Sequence, residues 1–169
     1  MDQVIEVLNR YLSLMTDAIL DHGGTLVDYM GDGVMAAFGA PIPTDDHADR
    51  AVEAAREMTT DKLEAFNGWL EASGIGDGFR MGIGLNSGPV MSGSVGSDRR
   101  LEYAVIGDTV NTASRIEGLT KQVPHAVLLG EGTYTSLRST EGLTFVDEFE
   151  IRGRRSRIKV WGLEEPAAS

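Results

Sequence analysis

The stretch EYAVIGDTVNTASRIEG, residues 102–118, decides the fold because it changes from strand to helix at one glycine. The run LEYAVIG, residues 101–107, is rich in β-branched and aromatic residues, which is typical of a strand. The residues after it predict a helix beginning near Asp108. Its apolar positions recur at helical spacing: Val110, Ala113, Ile116 and Leu119.

Two polar residues of this predicted helix are candidate functional residues. Asn111 and Arg115 are four residues apart, so they lie on one face, one turn from the helix N-terminus. An amide, a guanidinium and a helix N-terminus together can stabilise negative charge on a phosphate. The same spacing also fits a surface arginine paired to a neighbouring acid, with Asn111 as a late cap.

A second informative stretch is MGDGVM, residues 30–35, between the apolar runs TLVDYM and VMAAFG. Gly-Asp-Gly between such runs predicts a β-hairpin turn. It also fits a turn that holds a divalent metal through the carboxylate of Asp32. The stretch alone leaves both interpretations open.

The N-terminal half of the chain adds two predicted helices. The first has Asp2 as its N-cap, ends near residues 22–24, and has an apolar face that comprises Val4, Leu8, Tyr11, Met15 and Ala18. The second spans residues 48–70, with Asp45 or Asp46 as its cap.

The C-terminal half adds strands. Two are predicted around residues 86–88 and one over 126–130, followed by a short helix over 133–137 and an antiparallel pair over 143–151 and 157–163. The strand pairs are joined too tightly for parallel crossovers, so this order indicates an α+β sheet covered by helices.

The composition is that of one globular domain: 169 residues, 41% hydrophobic, with no cysteine. Disulfides and thiolate metal sites are therefore excluded. The net charge of −11 argues against non-specific binding to nucleic acid. No apolar run reaches the length of a membrane span, so we expect a cytoplasmic protein with no membrane segment.

Four segments carry a resemblance: HGGTLVDYMGDGVMAAFGAP, DHADRAVEAA, MGIGLNSGPVMSGSVGS and RRLEYAVIGDTVNTASRIEGLTK. In this order and at these spacings they closely resemble the class III nucleotidyl cyclases. The resemblance implies a ferredoxin-like fold, an antiparallel sheet with helices on one side, in a catalytic domain over 1–163 followed by a tail over 164–169. It also implies a head-to-tail dimer with active sites built from both chains, in which GSDRRLEY matches the arm that helps hold the dimer together.

The resemblance also implies roles at matching positions. Asp32 matches a metal-binding aspartate of the family, which would hold Mg²⁺ or Mn²⁺. Asn111 and Arg115 match the pair that positions the ribose and stabilises the transition state. Arg152 or Arg154, in IRGRR, would contact the terminal phosphates.

Two further matching positions concern the base of the nucleotide. Adenylyl cyclases of the family carry a lysine where this chain has Asp28, and an Asp or Thr where it has Ala104. An ionised Asp28 can only accept hydrogen bonds, which suits the donors of guanine, and Ala104 is small, like the usual partner position in guanylyl cyclases. The bacterial family mostly makes cyclic AMP, so ATP and GTP both remain open.

Besides these differences at the base, the chain departs from the family pattern at its N-terminus. The family places a strand with a first metal aspartate before the first helix, whereas only Met1, Asp2 and Gln3 precede Val4 here. We therefore expect the first strand and that ligand to be missing, and the activity of this chain alone to be weak.

The sequence thus predicts a phosphorus–oxygen lyase that converts ATP or GTP to the 3′,5′-cyclic monophosphate and pyrophosphate, as a homodimer or a heterodimer with another cyclase domain. The alternative is a degenerate, catalytically weak module that binds a nucleotide or a partner cyclase domain and regulates it.

Overall fold

The computed structural model describes residues 2–31, 33–76, 78–150 and 157–164. The chain divides into two compact units, residues 1–81 and 82–169. The domain bounds 1–163 stay a prediction. Among the helices that the structure describes, none is long and apolar enough to cross a membrane.

The first unit contains a helix, a hairpin and a long interrupted helix. Its elements are α1 (Asp2–Asp21), β1 (Thr25–Met30), β2 (Gly33–Ala37), α2 (His47–Glu57), a π-helical segment (Met58–Lys62) and α3 (Leu63–Ala72). The predicted hairpin is confirmed, with β1 antiparallel to β2. Asp2 is the first residue of α1, so its predicted role as a cap preceding the helix is wrong.

Helix α1 packs through a stripe that starts one turn later than predicted. Tyr11, Met15 and Ala18 are buried, as predicted, and the ring of Tyr11 lies edge-on to that of Phe66 at 5.2 Å. Val4, however, is 70% exposed. The stripe instead begins at Val7, which precedes Tyr11 by four residues and is buried.

The predicted second helix is observed as the continuous run of α2, the π-helical segment and α3. The hydroxyls of Thr59 and Thr60 donate to the carbonyl oxygens of Ala55 (2.9 Å) and Arg56 (2.7 Å), and such bonds compete with the regular helical ladder. Asp46 occupies the N-cap position, but its side chain makes no capping bond. Its carboxylate accepts a hydrogen bond from Arg50 Nε at 2.8 Å instead.

The second unit contains two sheets and two helices. Its elements are β3 (Ile83–Leu85), β4 (Met91–Ser97), β5 (Arg100–Ile106), α4 (Asp108–Leu119), β6 (Val127–Gly130), α5 (Glu131–Ser136), β7 (Leu143–Glu150) and β8 (Arg157–Leu163). One sheet has the strand order β3-β6-β8-β7, and the other is the ribbon β4-β5. The predicted final antiparallel pair is confirmed as β7 and β8.

The two strands predicted around residues 86–88 exist, but the expectation that they pair with each other is wrong. β3 pairs in parallel with β6, and β4 pairs antiparallel with β5. The residues between β3 and β4 contact other elements through their side chains: Asn86 bonds to Thr109, and Ser87 bonds to Thr133. The segment is therefore a loop held against its surroundings rather than a hairpin turn.

The second unit has a core between α4 and the four-stranded sheet. Ile116 of α4, Leu128 of β6 and Val160 of β8 have no exposed surface and pack together. A Cβ atom on Gly84 of β3 would collide with the backbone of α4 at Ala113 and Glu117. The glycine thus allows the strand to lie directly against the helix, which fixes the position of α4.

Replacing Leu128 with alanine is expected to destabilise the protein by about 2–5 kcal/mol, because it leaves a cavity in this core. Urea unfolding followed by circular dichroism measures the change. Leu20→Ala is the matched control, since Leu20 is 53% exposed on α1, and it should change the stability by less than about 0.5 kcal/mol. Equal effects of the two substitutions would contradict the assignment of Leu128 to the core.

Candidate active site

The candidate site is organised around the junction of β5 and α4. Gly107 is the N-cap residue of α4, with φ 140° and ψ 172°, a conformation that residues with side chains rarely adopt. The amide groups of Val110 and Asn111 both donate to the carbonyl oxygen of Gly107, at 3.1 and 3.2 Å. The predicted strand-to-helix change at this glycine is therefore confirmed.

Asn111 and Arg115 lie on the exposed face of α4, while Thr112 and Ile116 beside them are buried. Within the described ranges, the side chain of neither Asn111 nor Arg115 has a hydrogen-bond or ion-pair partner. The alternative of a surface arginine paired to a neighbouring acid therefore has no support among these residues. The structure brings the two side chains together on one helix face, in the first two turns.

This arrangement can stabilise an anion. The N-terminal end of a helix carries partial positive charge, and backbone N–H groups point outward from it. Asn111 adds an amide donor and Arg115 adds a planar cation with several N–H donors in a fixed fork. Developing negative charge on a phosphate is the kind of group that such donors favour.

The loop after β3 holds the start of α4. Asn86 Nδ2 donates to the carbonyl oxygen of Thr109 at 3.0 Å. The hydroxyl of Thr109 donates to the carbonyl oxygen of Pro89 at 2.7 Å. Local sequence patterns predict no functional role for these residues, although a polar Asn-Ser-Gly-Pro run directly after a strand is a signal for an ordered loop.

The same loop is joined to the start of α5. The hydroxyls of Ser87 and Thr133 are hydrogen-bonded at 2.8 Å, and Thr133 is 1% exposed. A Cβ atom on Gly132 would collide with the carbonyl group of Ser87. The loop is therefore packed closely on both helices of the second unit.

The two positions that the resemblance relates to the base lie on strands of different units. Ala104 is half-buried on β5, where it faces Gly93 of β4 across the ribbon. Asp28 is exposed on β1, directly after an irregularity in the β1–β2 register. Its carboxylate accepts a hydrogen bond from the amide of Tyr29 at 2.9 Å, which leaves acceptor capacity for a further donor.

Three predicted site residues, Asp32, Arg152 and Arg154, lie outside the described residues. Of the residues beside Asp32 in the sequence, Gly33 pairs with Met30 of β1, and Gly31 has φ 64°. In the parts of the chain that are described, no group of three or more acidic or histidine side chains could hold a metal ion.

The ribbon that contains GSDRRLEY is exposed over most of its length. Every residue of β4 is exposed, and the large apolar side chains Met91, Val95 and Leu101 are 71%, 60% and 62% exposed. A two-stranded ribbon is marginally stable when it packs on nothing. Exposed apolar residues on such a ribbon are typical of a surface that binds another protein.

Comparison with known proteins identifies the family. The family model of the adenylate and guanylate cyclase catalytic domain matches residues 1–165 of this sequence. Adenylate cyclase 1 of Rhizobium meliloti is 32% identical over 95% of this chain, and the adenylate cyclase of Anabaena cylindrica is 35% identical over 94%. The chain spans only 24% and 32% of the length of these two relatives.

Solved structures of cyclases are also similar to this chain. The guanylyl cyclase Cya2 is 33% identical, with a TM-score of 0.83 over 98% of this chain and 84% of its own. The adenylyl cyclase CyaB from P. aeruginosa is 26% identical, with a TM-score of 0.88 over 98% of this chain and 84% of its own. These likenesses confirm the predicted α+β class. The chain belongs to the adenylate and guanylate cyclase catalytic domain family.

Proposed function

We propose that this chain is a catalytic domain that converts a nucleoside triphosphate to its 3′,5′-cyclic monophosphate and pyrophosphate. The observation that carries the proposal is the exposed face of α4, where the side chains of Asn111 and Arg115 lie near the helix N-terminus without partners among the described residues. The names of the similar proteins, which are adenylate and guanylyl cyclases, support the same reaction class, a phosphorus–oxygen lyase.

The chemistry of the reaction accounts for these residue types. The 3′-oxygen of the ribose forms a bond to the α-phosphorus and loses its proton, while the bond from that phosphorus to the oxygen bridging to the β-phosphate breaks. Negative charge accumulates on the α-phosphate oxygens and on the departing pyrophosphate. Arg115 would donate N–H groups to those oxygens, and Asn111 would orient the ribose.

We also propose that Asp32 binds Mg²⁺ or Mn²⁺. A carboxylate is a hard oxygen ligand of the kind that these cations prefer, and Mg²⁺ commonly takes only one or two carboxylates together with substrate phosphates. A bound ion would supply charge neutralisation at the phosphates. In the sequence, Asp32 lies between β1 and β2, which pair antiparallel, and this order supports the proposal.

The remaining parts of the proposal concern phosphate contacts and assembly. Arg152 or Arg154 would hold the terminal phosphates of the substrate as a bidentate donor. The exposed apolar residues of the β4–β5 ribbon support a head-to-tail pairing with a second cyclase domain, either another copy or a homologue. A nucleoside triphosphate as substrate supports a location in the cytoplasm.

The first experiment is a cyclic nucleotide assay with Mn²⁺ in which ATP and GTP are offered separately. Formation of the cyclic product and pyrophosphate in equal amounts is expected from one of them or from both. Wild-type protein that forms no cyclic product from either nucleotide, but stimulates a metal-competent homologue, would instead support the regulatory alternative.

Asp28 is proposed to contact the base. Replacing it with lysine introduces a donor for an acceptor on adenine and removes the acceptor for guanine. The ratio of kcat/KM for ATP to that for GTP is therefore expected to rise by about tenfold or more in Asp28→Lys. Steady-state assays with each nucleotide measure this ratio.

Asp147→Lys is the matched control for the charge change. Asp147 is also exposed, also follows a register irregularity in a strand, and also accepts a hydrogen bond from the next amide, that of Glu148 at 2.7 Å. The control should leave the ratio unchanged. Equal changes in the two variants would mean that net charge, rather than a contact with the base, determines the preference.

A further inference from the structure

We propose that Asn86 and Thr109 are positioning residues that hold the first turn of α4 in the orientation from which Asn111 and Arg115 act. This inference rests on the proposed function for its catalytic consequence. Its structural part, that two side-chain hydrogen bonds fix this turn, can be tested independently of any activity.

The two hydrogen bonds link the same two segments in opposite directions. Asn86 donates from the loop to the carbonyl oxygen of Thr109, at 3.0 Å. Thr109 donates back from the helix to the carbonyl oxygen of Pro89, at 2.7 Å. Two bonds between a loop and one residue restrict both the translation and the rotation of that residue.

The loop between β3 and β4 is itself held by contacts with other elements. The hydroxyl of Ser87 bonds to that of the buried Thr133. A Cβ atom on Gly130 would lie 2.7 Å from Asn86 Oδ1, so the strand β6 also contacts the Asn86 side chain closely. A Cβ atom on Gly88 would lie 2.8 Å from the Thr109 hydroxyl, so that hydroxyl has little room to move.

The two hydrogen-bonded residues are connected to the functional side chains through a short segment of the chain. Thr109 precedes Asn111 by two residues and Arg115 by six, within one continuous helix. The junction before it is Gly107, with φ 140°. Because glycine has no Cβ atom and is conformationally permissive, this residue alone does not fix the direction of the helix. The hydrogen bonds of Asn86 and Thr109 supply the restraint that the glycine lacks.

The test compares Thr109→Val with Thr109→Ser. Valine keeps the branched shape and removes the hydroxyl, whereas serine keeps the hydroxyl. We expect kcat to fall by about tenfold in Thr109→Val with KM within about twofold, because a misplaced transition-state group costs rate rather than substrate binding. Thr109→Ser is expected to retain a kcat close to that of the wild type.

Thr120→Val is the matched control on the same helix. It removes a hydroxyl that donates to the carbonyl oxygen of Glu117 at 2.6 Å, at the opposite end of α4. Its kcat should match that of the wild type. Equal losses in Thr109→Val and Thr120→Val, or a KM effect without a kcat effect, would overturn the inference.

Amide hydrogen exchange is the second readout and needs no substrate. The amides of Val110 and Asn111 bond to Gly107 and report the first turn. They should exchange about tenfold faster in Thr109→Val and in Asn86→Asp, which lacks the donor but keeps the shape, and at the wild-type rate in Thr120→Val. Unchanged exchange in both Thr109→Val and Asn86→Asp would overturn the inference. A wild-type protein without cyclase activity would overturn the proposed function, and the exchange rates would then decide whether Asn86 and Thr109 hold the first turn of α4.

Discussion

Replacing Arg115 with alanine is expected to lower kcat by about 10²- to 10³-fold, with a much smaller change in KM. Removing one preorganised donor from a charge that develops in the transition state typically has an effect of this size. The stability should change little, because the Arg115 side chain is exposed and alanine is a good helix former. Steady-state kinetics with the preferred nucleotide, together with a thermal melt, measures both quantities.

Arg115→Lys separates charge from geometry. Lysine keeps the positive charge but has a single ammonium group in place of the planar fork, so it should recover only part of the lost rate. Arg56→Ala is the matched control, because Arg56 is also a helix-borne arginine of the chain, with its Nε 3.9 Å from Glu53 Oε1. A wild-type rate in Arg115→Ala would exclude Arg115 from the chemistry.

The contrast between these two arginines also shows what the sequence could predict. The residues three and four positions from Arg115 are Asn111, Thr112, Gly118 and Leu119, none of which is acidic. Helical spacing alone thus indicated that Arg115 had no acidic neighbour on its own helix. Helical spacing could not exclude an acidic partner from another helix or strand. The structure shows that no such acid pairs with Arg115 among the described residues.

The fold was predictable where one periodicity dominated. The helix after Gly107 and the hairpin over residues 25–37 have clear signals, and both were confirmed. The partner of β3 was not predictable, because a three-residue strand carries no information about which strand it pairs with. Its pairing with β6 joins segments that are far apart in the sequence.

The candidate site also has a part that the sequence predicts and a part that it does not. Asn111 and Arg115 could be predicted because one helix presents both of them. The supporting bonds of Asn86 and Thr109 could not, because the two residues are 23 positions apart and either side chain has many alternative partners. Local patterns indicate which residues share an element, whereas the bonds that orient one element against another emerge only from the fold.

Replacing Asp32 with asparagine is expected to abolish measurable cyclase activity, with a loss of about 10²-fold or more. Asparagine keeps the shape of the side chain but removes the negative charge that would bind Mg²⁺ or Mn²⁺. Binding of Mn²⁺, measured by the decrease in the electron paramagnetic resonance signal of the free ion, should weaken in parallel. Asp147→Asn, at an exposed carboxylate on β7, should leave both the activity and the binding unchanged.

Mixing two inactive variants distinguishes a metal ligand in a shared site from a general loss of structure. If each site takes Asp32 from one chain and Arg115 from the other, a heterodimer of Asp32→Asn and Arg115→Ala contains one intact site and one site with both changes. Half of the dimers in an equal mixture are such heterodimers, so about a quarter of the wild-type activity should return. A mixture as inactive as its two components would show that Asp32 and Arg115 do not act in one site formed by two chains.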